Sequence, residues 1–439
     1  SGLVDLLPTL SPNFDFLQGA FDFIKSLDLS IGFDADFGLV LLGKISLPDL
    51  KLDLGDFVHI QGDFELNIGN TFTGTMYTGL PKELGLVEDL VTAGLGDTAG
   101  TVIDGIKLLA GVSGDYSRFK NVSFKGMTFG ASDVSAFVGI GDPDFDVPLA
   151  DQSDLYGFGI ENLDLGLSVF QATDLPDFFK PEKFYSLTAH ADTFSTYGFG
   201  DVLTLRGEDI TIDLNSGGKA LGGLMRATAD FASSFPAQPA NGTTPARPAG
   251  YKVETGGDPV YLNFAGNDIV GVDIGKADIR VAEFMYLSGS FAFRMGEIYD
   301  VNVDLGGLGP FAQTLGVTLG TNLNPLPMQV KAMTIGGSNL TGFVGVGGPY
   351  RFGDDGPDQD LLPDNINENA VGMVIDDVDF GLAIMSPTLF NIVPGLESIA
   401  PKFISAKADV GTAGLVGIDP DLLTVVAKDI EVNINTFYW

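Results

Sequence analysis

The chain predicts an all-β fold with a few short helices, arranged as elongated parallel β-solenoid-like repeats. Antiparallel β-sandwich units in tandem are the alternative. Three observations lead there: apolar residues that alternate with polar ones, a short cassette that recurs, and a longer duplication that contains the cassettes. In Met373 to Ile384, MVIDDVDFGLAI, apolar residues alternate at Met373 and Ile375, and after Asp379 at Phe380, Leu382 and Ile384 on the other parity. Spacing by two marks a strand with one apolar face, and a parity flip marks an extra residue, hence a bulge or a corner.

Cassettes of this form begin at Met127, Phe158, Leu203, Leu262, Val272, Met333, Met373 and Leu423. Six residues later stand Asp133, Asp164, Asp209, Asp268, Asp278, Asn339, Asp379 and Asp429. Asp and Asn tolerate left-handed backbone and cap nearby N–H groups, which suits either a solenoid corner or a bulge between sheets. Seven aspartates and one asparagine at one offset are better read as backbone devices than as eight active sites.

Residues 1–44 are expected to be an N-terminal cap or the end of a preceding unit, with a short helix near Phe14 to Lys25. Unit one follows at 45–232 and holds a helical insertion at about 82–112, where apolar spacing lengthens to three and four at Leu86 and Leu90. Residues 233–258, rich in Pro, Ala and Gly, read as a linker or loop, and 259–439 as unit two. The units repeat each other. FVGIG at Phe137 returns as FVGVG at Phe343, GFGIENLDLGL at Gly157 as GMVIDDVDFGL at Gly372, KFYS at Lys183 as KFIS at Lys402, and LTLRGEDITIDLN at Leu203 as LTVVAKDIEVNIN at Leu423. The offsets are 206, 215, 219 and 220; a looser match, His59 with Tyr286, has 227 and breaks the trend.

Composition narrows the function. The 58 acidic against 23 basic residues give a net charge of −35, which opposes binding to nucleic acid or to an anionic membrane surface. With no cysteine, thiol chemistry and disulfides are excluded. No apolar run approaches the ~18 residues that a membrane helix needs, since Val91 to Val112 is broken by Asp97, Asp104 and Lys107. The ending Phe437, Tyr438, Trp439 would suit the last strand of an outer-membrane barrel, but Asn433 and Asn435 share the parity of Phe437.

Each FVG[IV]G is followed by an acidic loop. Asp142, Asp144 and Asp146, with Asp151 and Asp154, stand in the first; Asp354, Asp355, Asp358 and Asp360, with Asp364, stand in the second. Carboxylates in Gly- and Pro-containing loops suit calcium, which takes six to eight oxygens in irregular geometry, so these are the candidate metal ligands. A solvated loop in an acidic protein is the competing reading. Only His59 and His190 could serve a Ser-His-Asp triad, and they do not occupy matching places in the duplication. No catalytic residue is assigned. Asn121, Asn241 and Asn339 lie in Asn-x-Ser/Thr sequons, which this composition produces without special cause.

The phrases MTIGGSNLTGFVGVGG, NAVGMVIDDVDFGLAIM and VVAKDIEVNIN resemble repeats of very large, acidic, cysteine-free proteins secreted by aquatic bacteria, of the adhesin, surface-layer and extracellular-filament type. The resemblance implies export to the cell surface and a structural or adhesive role, and it carries no site residues. The expected function is therefore an extracellular structural module of a self-assembling fibre, surface layer or giant adhesin, stabilised by calcium and partnered by itself, with glycans or other surface components as further partners. A carbohydrate-active β-helix enzyme and a ligand-binding adhesin are the rivals.

Overall fold

The structure, a computed structural model, describes residues 43–438 apart from 55–56, 81–87, 89–91, 93–98, 111–114, 177–178, 180–182, 221–224, 243–244, 304–325, 353–364 and 389–401. The expected cap at 1–44 thus lies outside the described residues except for its last two. Gly43–Trp439 forms one compact unit by its contacts.

In chain order the strands are β1 (Gly43–Leu54), β2 (Val58–Tyr77), β3 (Arg118–Ile140), β4 (Tyr156–Ala172), β5 (Phe184–Tyr197), β6 (Leu203–Gly217), β7 (Lys219–Ala220), β8 (Met225–Arg226), β9 (Thr228–Asp230), β10 (Tyr251–Val253), β11 (Val260–Leu262), β12 (Ile269–Val281), β13 (Met285–Val303), β14 (Leu326–Val346), β15 (Arg351–Phe352), β16 (Asn365–Ile366), β17 (Val371–Pro387), β18 (Lys402–Val416) and β19 (Val426–Tyr438). Helix α1 is Ala99–Ala110, inside the segment expected to be helical, and α2 is the single turn Phe231–Ser234.

Twelve strands lie side by side in one sheet, β1-β2-β3-β4-β5-β6-β12-β13-β14-β17-β18-β19, and β9 adds to β2. Every described strand pairing is antiparallel. The all-β expectation holds, but the parallel coil is replaced by antiparallel hairpins, the pairing mode of the alternative. The reason is visible in the parity flip. It serves a bulge inside a continuous strand, which keeps the apolar set on one face instead of turning a corner.

Opposite residues of an antiparallel pair share a face, so the registers can be followed across the sheet. The row that starts at Leu47 runs through Phe64, Ala131, Leu165, Ala189, Ile212, Val272, Phe293, Ile335, Leu382, Ala406 and Ile434, one residue per strand and all apolar. Neighbouring rows repeat this, and one face of the sheet is apolar from edge to edge. It is also open: Phe158 is 41% exposed, Ile375 45% and Met373 61%.

The other face is mixed in character and partly covered. Over β2 to β5 it carries the main core, where Phe124, Phe170 and Phe184 of the sheet meet Ile106 of α1, Phe231 of α2, and Val253 and Leu262 of the β10–β11 hairpin. Phe72 stacks on Phe124 at 4.7 Å and meets Phe170 edge-on at 4.9 Å. Residues 233–258 therefore do not separate two bodies. β6 pairs directly with β12, and the segment between them is an excursion folded against the mixed face. Asn215, fully buried on β6, fastens it by donating to the Ala229 and Asn267 carbonyls at 3.2 and 2.9 Å.

Candidate functional site

The bulges form a line across the sheet, and this line gathers most of the polar groups that the sequence singled out. Left-handed backbone, rare outside glycine, occurs at Asp49, Asp133, Asn162, Asp209, Asn339, Asp377 and Asp429, with φ between 51° and 56°. Each lies at or beside the middle of a sheet strand, where the ladder shifts register or meets a facing irregularity. The aspartate beside a bulge completes it. Asp63 accepts the Asp49 N–H at 2.8 Å, Asp164 the Asp133 N–H at 3.1 Å, and Asp379 the Asn339 N–H at 3.0 Å.

Of the eight cassette residues, Asp133, Asp209, Asn339 and Asp429 are thus left-handed, while Asp164 and Asp379 accept a neighbour's N–H. Asp268 and Asp278 do neither: Asp268 pairs with Arg226 and Lys331, and the buried Asp278 with Arg280. Spacing alone could not separate these roles, because it does not show which strand is bulged and which faces the bulge. Asp49, Asn162 and Asp377 have the same left-handed geometry at other offsets from the apolar start.

Carboxylates line up along these bulges in the first half. Burial, then the nearby charges of Asp164, Asp63, Asp258 and Asp192, holds the Asp133 carboxyl above its ordinary range. His190 stands in the same line, with Nδ1 3.2 Å from Thr211 Oγ1 and 3.7 Å from Asp209 Oδ1, and Nε2 3.6 Å from Asp192 Oδ1. The carboxylate distances exceed hydrogen-bond range, so no hydroxyl–imidazole–carboxylate relay is assembled there. His59 is buried against Phe137, its Nδ1 2.8 Å from Asp53 Oδ1.

Of the candidate metal ligands, Asp142, Asp144 and Asp146 lie exposed in the loop between β3 and β4. Asp144 Oδ1 accepts the Asp146 N–H at 3.0 Å, while Gln152 donates to the Asp144 and Val147 carbonyls at 2.7 and 3.0 Å. The Asp144 carboxylate thus organises the loop's own backbone. Asp354, Asp355, Asp358 and Asp360 lie outside the described residues, as does Asp364. Among the described residues no three His, Asp or Glu side chains converge as a cation cage.

What fastens these loops was not legible as a motif. In the first half Glu161 accepts the Leu149 N–H at 3.1 Å and the Tyr197 hydroxyl at 3.3 Å. In the second, the residue at the corresponding place is Asp376, buried and clasped by Arg351 Nε at 2.9 and 3.1 Å and by the Thr341 hydroxyl at 2.8 Å. The bond to Asp376 raises the Arg351 pKa above its ordinary value.

At its two ends the sheet stops in long strands. Both β1 and β19 are exposed along most of their length, and among the described residues each pairs on one side only. No helix among the described residues is long and apolar enough to cross a membrane. Compared with protein-family models, curated proteins and solved structures, the chain matches none of them.

Proposed function

We propose that this chain is an extracellular structural module, without catalytic activity, that builds a larger assembly with copies of itself. One observation carries the reading: among the described residues, a sheet with twelve strands side by side and β9 added to β2 has an open apolar face and ends on both sides in a long exposed strand. Soluble sheets ordinarily blunt or cover such edges, because unpaired N–H and C=O groups beside apolar side chains recruit another strand. Apolar surface of this extent marks a surface that meets a partner. The charge of −35 keeps stray copies apart until complementary surfaces meet, and it accords with an extracellular setting.

Small-angle scattering and electron microscopy over a range of concentrations test this. Elongated or assembled particles are expected, and a compact monomer at every concentration removes the reading. Turnover in a screen of acidic and neutral polysaccharides would replace it with an enzyme, and one specific glycan target with an adhesin. Calcium enters through the acidic loops alone. A melting midpoint unchanged by chelator removes it from the proposal.

A further inference from the structure

The two halves of the sheet are copies, strand by strand, and the join between them is a template for a join that is left open among the described residues. The registers place β2 and β13 at equivalent positions, Gly62 with Gly289 and Phe64 with Phe291, an offset of 227. With them β1 corresponds to β12 at the same offset, so that Ile45, Leu47 and Leu52 answer to Val272, Ile274 and Ile279. At the other end β6 corresponds to β19, left-handed Asp209 to left-handed Asp429, an offset of 220. Inside the chain, β6 pairs antiparallel with β12. Their equivalents, β19 and β1, are the two outer strands.

We infer that β19 of one copy pairs antiparallel with β1 of the next, in the register of the β6–β12 join, so that one sheet runs on from copy to copy. The inference rests on the self-assembly reading above and names its contact. Transferring Ile212 opposite Val272 and Ile210 opposite Ile274 sets Val432 opposite Ile45 and Ile430 opposite Leu47. Apolar residues meet apolar residues, and the apolar face continues across the join.

A charge test comes with the register. In the β6–β12 join Glu208 stands opposite Lys276, with Oε2 to Nζ at 3.6 Å. The same transfer sets Lys428 opposite Asp49: opposite charges meet again, with the signs exchanged. Among the described residues neither Asp49 nor Lys428 has an ion-pair partner within the chain. Opposite charges facing across an antiparallel pair are stabilising, and like charges destabilising.

Closure of β19 onto β1 of the same chain would use the same strands, but the register opposes it. The row that starts at Leu47 reaches Ile434 on β19, and the transferred pairing returns it to Gly43, four residues from its start. Four residues of stagger over twelve strands would tilt them by roughly 13°, far below the ~35–45° that a closed barrel needs. An open sheet carries no such requirement, and so a second copy is the occupant.

The cysteine-free chain makes the test direct. Ile45→Cys and Val432→Cys proteins, oxidised alone and as a mixture, should give a disulfide-linked dimer in the mixture. Ile45→Cys mixed with Ala427→Cys, out of register, should give none. Lys428→Glu should weaken assembly roughly two- to fivefold at low salt, and adding Asp49→Asn should recover most of it. Assembly without the Ile45–Val432 cross-link overturns this contact and leaves the structural reading standing. A monomer at every concentration overturns both. A doubly substituted Ile45→Cys/Val432→Cys chain that closes only on itself also overturns the inference.

Discussion

The two halves of the sheet share strands and bulges, with Asp133 answering to Asn339, Asn162 to Asp377 and Asp209 to Asp429, but Lys276 stands where β1 has Asp49, and their described cores differ. Among the described residues, the first half buries twenty in a cluster between its mixed face, α1 and the 227–264 excursion. In the second half one described cluster is Phe343, Ala370 and Val374, with Tyr286 and Tyr350 beside them, and Val330, Ala332 and Ile404 are buried as well. Its nearest equivalent in the first half is the small cluster of Phe137, Leu149, Leu155 and Tyr197. The lesson is that the duplicated unit includes the bulged sheet with one capped end, and that the described core of the first half draws on α1 and the excursion between β6 and β12 as well as on the sheet. A sheet buries an apolar surface only against another element, and over the first half α1 and the excursion supply one.

This difference can be pressed from the strongest effect down. Phe124→Ala should cost about 3–5 kcal/mol, because the surrounding aromatic rings cannot close over the cavity. Phe343→Ala, in the smaller described cluster, should fall at the lower end of that range. Urea unfolding of both variants measures the gap, and equal losses would mean that α1 and the excursion add no packing rigidity.

Next come the loop anchors. Asp376→Asn removes the buried carboxylate charge that clasps Arg351 and should cost about 3 kcal/mol. Glu161→Gln keeps an oxygen for the Leu149 N–H and should cost about 1 kcal/mol. Limited proteolysis should cut the second loop in the first variant well before the first loop in the second.

The anchors also differ in alkali. Burial, then the charge of Glu161 and its hydrogen bond, pushes the Tyr197 hydroxyl well above its ordinary 10.0, whereas Val416 stands at the corresponding place. A raised phenol pKa stabilises the fold below the unfolded value, and the contribution is lost as pH rises from 10.0 through the folded value. Stability should therefore decline above pH 10, and the decline should be shallower in Tyr197→Phe. Melts at stepped alkaline pH read this directly.

The smallest expected effect lies at one bulge. Asp133 and Asn339 are equivalent left-handed residues, and only Asp133 carries a charge pressed by Asp164 and Asp63. Its raised pKa means that stability is lost as pH rises through the folded value. Asp133→Asn should accordingly stabilise the protein at pH 7 by about 0.2–0.5 kcal/mol after solvent screening, with the gain vanishing in acid. The reverse change, Asn339→Asp, should destabilise beside Asp379. Equal and opposite melting shifts would show that the two bulges are interchangeable.

Much of this was legible in the residues themselves. Alternation marked the strands, the parity flip in MVIDDVDFGLAI marked a bulge or a corner without deciding between them, and the repeated aspartates marked a backbone role that Asp133, Asp209 and Asp379 do perform. The 227 offset of His59 to Tyr286, which broke the trend of the others, proves to be in register, since Gly62 and Gly289 face corresponding bulges. The anchors Glu161, Asp376 and Arg351 had no signature, because their partners lie on other elements and no spacing along the chain encodes them.

Taken by itself, the sequence determined the strands, the places where their parity flips, the duplication and the acidic composition, all of which are written along the chain. Only the tertiary structure decided that the strands pair antiparallel in one sheet, that residues 233–258 fold against it, and that β1 and β19 are its two edges. Pairing partners and burial depend on contacts between residues far apart in the chain. A bulge and a corner look alike until the next strand is in place.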